Sequence, residues 1–592
     1  MIHYPPKGIN IMDKKSIIGF ILVFLIILAM PHYFKMINPE QPTAPNVVGG
    51  RQTTISKIDS SQQTIRVRHR QPTPKIQEKD ILYTIDTKLY HIVLSNRGGG
   101  TLTSFILKNY RMIKNNDTTL VDLVQSGDVK SLFIKYISVD GDSVELNQPF
   151  SLDAPRGGVT PNNIWTLNET DSLSLSFVLK SSSRALARKT FVFYGDKYTI
   201  DLATDVTGSR ENIAAQFYEL SWEGGLPYTE TLIKDDIDYS KAYAYNAGDA
   251  VDLDIKSGRK NQSSFTGNTG WTAIRNKYFT AAILASGNGV GYRLTAEGIP
   301  LEGKNFQKVF NMYLYLPVNT VNQTQLFIGP LDYQTIKKLD VNLDEIMNFG
   351  ASIIRPISKG ILWVFTWMHT LIPNYGWVLI IFSILLKVVL TPLTNKSTQS
   401  MKEMQKLAPK TEALKEKYGN DPQKLNTETM KLYKEHGVNP MGGCLPILLQ
   451  MPILWALFIV FRSTIELRQA AFIGWITDLS APDTIFTLPF AIPIYGSQIN
   501  LLPILMVLSQ IIQQKMSTVS SNQQQKMMMY FMPIVFFFLF NQFPSGLNLY
   551  YTLFNILSII QQKWLTPNAK PKKPKQRTID AIRQLQMKTK KR

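Results

Sequence analysis

The sequence predicts a two-part membrane protein: an α-helical bundle with six transmembrane helices and an all-β domain outside the membrane. Three observations carry this. The apolar residues of the 592-residue chain are bunched, so a mean hydropathy near zero hides charge-free runs at 17–30 and in several segments after 374. Between them, residues 80–340 alternate apolar and polar side chains with the period of strands. Lysine and arginine are also spread unevenly over the short connections, which sets the orientation of the spans.

The first run, "IIGFILVFLIILAM" at 17–30, follows Lys14 and Lys15 and precedes Pro31 rather than a small-residue cleavage site. It reads as an uncleaved signal anchor (16–34) that leaves residues 1–15 in the cytoplasm. Met12 opens a complete charged n-region, "MDKKSIIGF", so either Met1 or Met12 can be the start, and residues 1–11 read as an upstream extension with no expected part in the fold. Residues 35–79, rich in Pro, Gln, Ser and Thr, bury too little to fold and form a linker. From 80 to 340, runs such as "LYHIVLSNRGGGTLTSFIL" and "KTFVFYGDKYTIDLATDV" lie between turn signals and predict a two-sheet β-sandwich. Residues 343–370 repeat Ile346, Phe349, Ile353, Ile357, Ile361, Val364 and Met368 at helical spacing, with Arg355 and Lys359 opposite. That pattern suits an amphipathic helix on the membrane surface, with Trp363 and Trp367 at headgroup level, or a helix packed on the β domain.

Five further spans follow, at 375–391, 444–461, 500–514, 526–540 and 547–562, several of them shorter than the roughly 20 residues of a normal crossing. The 395–440 connection holds nine lysines against six acids, and the tail 563–592 holds eleven basic residues against Asp580, so both belong in the cytoplasm. Residues 463–499 carry only Arg468 as a basic group and "NQFPSG" carries none, which places both loops outside. The 395–440 segment reads as an antiparallel helical hairpin with Asp421 as N-cap, Pro422 at the first helical position and Gly437 as the stop. Met401, Met404, Leu407, Leu414 and Tyr418 on one arm would face Leu425, Leu432 and Tyr433 on the other.

Lys387 stands near the middle of "WVLIIFSILLKVVLTPLT". A cation there costs about 2.5–3.5 kcal/mol on translocon scales. Either its stem snorkels to the inner headgroups or it faces a polar interior. Ser383, Lys387, Thr391 and Thr394 form a stripe on one helix face; Gln450 lies in the next span. Asn548, Tyr551, Asn555, Ser558 and Gln562 form a second stripe in the last span. Several stripes with one cation suggest a wet cavity open to the cytoplasm, although hydrogen bonding between helices would explain any single stripe. The lone Cys444 excludes disulfides within the chain and multi-cysteine zinc sites, and the six histidines lack metal-binding spacing, so no cofactor or metal is expected. No nucleophile–base pair, paired aspartates or phosphate loop falls in the spans, so an enzyme is not expected. A secondary transporter or channel, with Lys387 as counter-ion for an anionic solute, is the competing function; the C-terminal spans show no internal repeat to support it.

"NYGWVLIIFSILLKVVLTPLTNKSTQSMKEMQKLAPK", "VNPMGGCLPILLQMPILWALF", "ELRQAAFIGWITDLSAPD" and "KMMMYFMPIVFFFLFNQFPSGLNLYYTLFNILSIIQQ" together resemble the YidC membrane protein insertase family. "GPLDYQTIKKLDVNLDEIMNFG" resembles the segment that links the family's periplasmic domain to its membrane part. The resemblance implies a Gram-negative inner-membrane insertase with both termini cytoplasmic, five spans forming the insertase core, and a β-super-sandwich periplasmic domain. It implies a cytoplasm-open hydrophilic groove with one cation, usually arginine, at the position of Lys387; Ser383 stands where the family often has threonine, and Gln450 and Tyr551 match groove positions. Asn548 and Asn555 belong to the same candidate groove. Nascent membrane proteins are the implied partners, with the Sec translocon, the signal recognition particle receptor, the ribosome and anionic lipids beside them; "KPKKPKQR" in the tail suits ribosomal RNA or anionic lipid. The β domain resembles galactose-mutarotase-like folds, but of the histidines those enzymes use only His91 lies within it, which favours binding over catalysis.

Overall fold

The computed structural model describes residues 80–565 apart from 115–116, 125–128, 154–161, 182–183, 288, 302–305, 420, 439–444, 493–494 and 518–522. The expected signal anchor, the linker, Cys444 and the tail beyond 565 lie outside the described residues. Everything described belongs to one unit, which begins at Pro74.

The β domain contains three sheets rather than the two expected. A nine-stranded sheet runs from Ser151–Leu152 at one edge through Ser172–Ser181, Arg184–Tyr194, Thr199–Asp205, Asn322–Pro330, Phe279–Ala285, Thr269–Arg275 and Lys241–Asn246 to Asp249–Leu253. A six-stranded sheet has Gly291–Pro300, Phe306–Pro317, Phe217–Glu223 and Lys130–Ile137 at its centre, and a five-stranded sheet is built on Leu82–Asp86, Tyr90–Ser95 and Thr101–Lys114. Alternation makes the strands: Leu173, Leu175, Phe177, Phe191 and Phe193 are buried while the polar residues between them turn outward. Alternation does not say how strands are divided among sheets, because neighbours such as Thr199–Asp205 and Asn322–Pro330 are far apart in sequence.

The "RGGG" turn is fixed by sterics and by one buried cation. Gly98, Gly99 and Gly100 all have positive φ, and a Cβ on Gly99 would lie 2.7 Å from the Phe150 ring. Lys189, fully buried, donates from Nζ to the Gly98 carbonyl at 2.7 Å and also to that of Leu132. Burial pushes its ammonium down to about 7.

The helices are α1 (Ile233–Tyr239), α2 (Tyr333–Lys337), α3 (Arg355–Leu371), α4 (Tyr375–Lys406), α5 (Ala408–Tyr418), α6 (Pro422–Glu435), α7 (Leu445–Ser463), α8 (Leu501–Ser517), α9 (Gln523–Phe540) and α10 (Ser545–Ile560). The amphipathic helix expected from 343 begins only at Arg355; Leu343–Ile346 is a separate 3-10 turn, and Ile346 and Phe349 are buried before the helix starts. The apolar stripe of α3 packs on neighbouring helices, with Phe365 set against Phe382 and Phe461, while Trp363 and Trp367 face outward. α4 runs unbroken through Pro392 to Lys406, taking in the expected span and half of the expected hairpin arm, and the chain breaks at Leu407 instead. Asp421 Oδ1 accepts from the Lys424 N–H at 3.0 Å with Pro422 at the first turn, and Gly437 has φ +68°. Among the described residues, the buried apolar cluster of the hairpin lies at its base, at Met404, Leu407 and Val438 with Ala408 and Tyr433 against them.

The β domain is joined to the helices through buried charges. Asp235 receives the Lys277 ammonium at 2.7 Å and the Arg462 guanidinium at 3.0 Å, and Arg468 donates to Glu230 at 2.8 Å. Burial opposes the charge on Asp235, but the two cations hold its carboxyl below the usual range. Glu466 is buried beside Asp332, and desolvation followed by that repulsion pushes its carboxyl up to about 8.

Candidate functional site

Within α4, Tyr375–Pro392 is the one stretch among the described residues with the length and apolarity to cross a membrane; Gln450–Ser463, Leu501–Met516 and Phe531–Phe540 are apolar but shorter. Lys387 sits about 18 Å along α4 from Tyr375 at the usual rise per residue. Its side chain does not run toward the helix end. It turns sideways to α10, where Nζ donates to Ser558 Oγ at 2.6 Å and lies 4.3 Å from the centre of the Phe554 ring. Only 8% of Lys387 is exposed, so the ammonium is enclosed by two helices rather than lying open.

No Asp or Glu occurs between 375 and 402, 441 and 465, or 500 and 565, and the nearest acid on α4, Glu403, lies about 24 Å of helix beyond Lys387. Its partners are one hydroxyl and one ring face. Among the described residues the Lys387 amino group is thus held by a hydrogen bond and a ring face, with no acidic partner beside it.

The remaining candidates make separate contacts. Ser383, one turn before Lys387, donates back to the Leu379 carbonyl at 2.7 Å and does not touch the ammonium. Gln450 on α7 donates to the hydroxyl of Tyr550 at 2.6 Å, while its expected neighbour Tyr551 packs its ring against Phe536 and Phe540 of α9. Asn555 donates to Ser509 of α8 at 3.1 Å, and Asn548 donates to the Phe540 carbonyl at 3.1 Å with its own carbonyl oxygen buried and unpartnered. The seam ends where Gln561 donates to Asn395 at 2.7 Å. Thus α10 carries the polar stripe that touches α4, α7, α8 and α9 in turn. Ser558 was visible as part of that stripe; Phe554 was not, because its ring carries no polar atom, and Tyr550 was not, because it lies off the helical spacing that joins Tyr551 to Asn555 and Ser558.

A helix long and apolar enough to cross a bilayer, a buried lysine within it and a large β domain fit one class, a helical membrane protein that carries a β domain. Residues 367–573 match the family described as 60Kd inner membrane protein, and residues 82–364 match the YidC periplasmic domain. Membrane protein insertase YidC of Chlorobium luteolum is 35% identical over 571 residues, covering 94% of this chain and 95% of that relative. Its counterpart in Chlorobaculum parvum is 36% identical over 571 residues, covering 94% of each. An active YidC insertase crystal structure with the first transmembrane domain resolved is 20% identical and covers 84% of this chain and 94% of that one, at a TM-score of 0.35. The chain belongs to the YidC membrane protein insertase family.

Proposed function

We propose that this chain inserts nascent membrane proteins into the inner membrane through a polar groove between α4, α7, α8 and α10, and that Lys387 is its working charge. The observation that carries the reading is the Lys387 ammonium, held by Ser558 and Phe554 with no carboxylate within 15 residues of it on α4 and none on α7, α8 or α10. An acidic residue in the substrate's outer tail would displace the serine contact and gain Coulomb energy that offsets its desolvation. The substrate's apolar segment would then leave along the lipid-facing side, driven by its own burial and by the membrane potential, about 2.3 kcal/mol per charge per 100 mV. Nothing need be hydrolysed, and the groove acts without a catalytic group.

In this reading the chain crosses the membrane six times with both termini in the cytoplasm, and its short spans thin the barrier locally. The hairpin of α5 and α6 receives substrate, the basic tail contacts anionic lipid or the ribosome, and the β domain offers a binding surface to partners such as the Sec translocon. The rival transporter reading keeps Lys387 as the counter-ion of a small anion. Crosslinking of a ribosome-stalled, single-span substrate from photoreactive residues at Ser383, Gln450 and Tyr551, with outward-facing Val388 as the control, separates the two. Adducts at the three seam positions are expected. Adducts at none of them would remove the groove from the insertion route.

A further inference from the structure

The outside loop between α7 and α8 holds a β-hairpin that the proposed function does not use. Strand Thr484–Ile492 pairs antiparallel with Gly496–Asn500, and residues 484–514 contain no charged side chain, so the hairpin continues without a charge into α8 as far as Gln514. The hairpin leaves from and returns to the outer end of α8: Asp483 Oδ2, just before the first strand, accepts from the Leu502 N–H at 2.8 Å and from Trp475 Nε1 at 2.9 Å. Its second strand lies along the outer end of α9. Asn541 donates to the Tyr495 and Gln498 carbonyls at 3.1 and 2.7 Å and accepts from Asn500, while the Tyr495 ring packs on Phe537 and Phe538. The hairpin therefore lies sideways at the ends of two apolar helices instead of projecting away from them. Its first strand is the outer one, and it exposes Ile485 (51%), Phe486 (57%) and Phe490 (62%).

We infer that the hairpin Thr484–Asn500 is an outer-leaflet anchor whose partner is lipid at the headgroup–acyl boundary. This rests on the reading of α8 as a membrane span. Three exposed apolar side chains with no charge beside them would pay for contact with water but gain in lipid. The strand's free edge keeps it shallow, because unpaired backbone N–H and C=O groups are tolerated at headgroup depth and not in hydrocarbon. Exposed Trp377, set against Phe472 at the outer start of α4, and exposed Trp475, bonded to Asp483, belong at the same level. The anchor would hold the outer ends of α8 and α9 at a fixed depth.

The test uses the full chain in phosphatidylethanolamine/phosphatidylglycerol liposomes with Cys444→Ala, which removes the one native thiol. Single nitroxide labels are placed through Ile485→Cys, Phe490→Cys, Leu508→Cys on the outward face of α8 and Val139→Cys on the β domain surface. Collision with oxygen and with a water-soluble nickel chelate is then measured for each. Labels at 485 and 490 are expected to favour oxygen several-fold, as at 508, but at shallower depth. Nickel collision equal to that at 139 would put the hairpin in water, and low collision with both probes would mean that a second copy covers it; either overturns the anchor. If 508 also reads as water-exposed, the span reading of α8 fails first.

Discussion

Replacing Lys387 by methionine tests the function against the fold, because the two should move differently. For folding, the cation costs about 2.5–3.5 kcal/mol to place in the span. It recovers about 1.5–3 kcal/mol from the charge-assisted bond to Ser558 and about 0.5–2 kcal/mol from the Phe554 ring. Methionine fills nearly the same volume, so Lys387→Met should leave stability within about 1 kcal/mol. For insertion, a substrate carboxylate 4 Å from the ammonium gains about 1 kcal/mol in water and about 4 kcal/mol at an effective dielectric constant of 20. A value near 2 kcal/mol, about 30-fold in rate, is expected to be lost. The assay is protease protection of a single-span substrate in proteoliposomes, with an acidic outer tail compared with the same tail carrying Asn and Gln. Lys387→Met should slow the acidic tail and spare the neutral one, and Lys387→Arg should insert both at the wild-type rate. Wild-type insertion of the acidic tail by Lys387→Met, or equal loss for both tails in a protein that still melts normally, would refute the groove-charge argument.

Other predictions concern the junction and the packing. Asp235→Ala strands Lys277 and Arg462 beside each other and should destabilise the domain junction by about 3–5 kcal/mol, read as faster hydrogen exchange across Leu343–Ile346; unchanged exchange would show that the pairs bear no load. Glu466 holds its proton in the folded chain up to about 8 and loses it near the ordinary carboxylate value when unfolded. Stability from this group is therefore fully present below about pH 4.5 and is lost as pH rises to about 8, where the folded form also ionises. Glu466→Gln should flatten the thermal midpoint across that window and raise it at pH 8, and a midpoint with the same slope would contradict the assignment. In "FPSG", a Cβ on Gly546 would lie 2.2 Å from the Phe461 ring, so Gly546→Ala should cost about 1–3 kcal/mol by overpacking, seen as a lower melting temperature.

The site was legible to the extent that polar atoms in apolar runs are conspicuous. Ser383, Lys387, Gln450, Asn548 and Asn555 stand out in the sequence because each interrupts a hydrophobic span, and helical spacing puts Ser383 with Lys387 and Asn548 with Asn555 on common faces. Which of them meet was not legible. Lys387 finds Ser558, 171 positions away, and Gln450 finds Tyr550 rather than the adjacent Tyr551, because a rotation of about 100° per residue decides which of two neighbouring tyrosines faces α7. The outer hairpin was missed for another reason: in "TIFTLPFAIPIYGSQIN" an uncharged, proline-rich run suppresses the alternation that marks a strand.

The sequence by itself determined what each segment can be. Periodicity and turn chemistry are local, so the strands of the β domain, the Asp421 cap and the apolar runs of the helices were already written in neighbouring residues. Only the tertiary structure decided how those segments associate: three sheets instead of two, α3 packed by its apolar stripe against α4 and α7, α4 continuing through Pro392, and the cation closed in by α10. These are contacts between residues far apart in the chain, where the energy lies in mutual burial and charge pairing, and no local pattern records which partner is chosen.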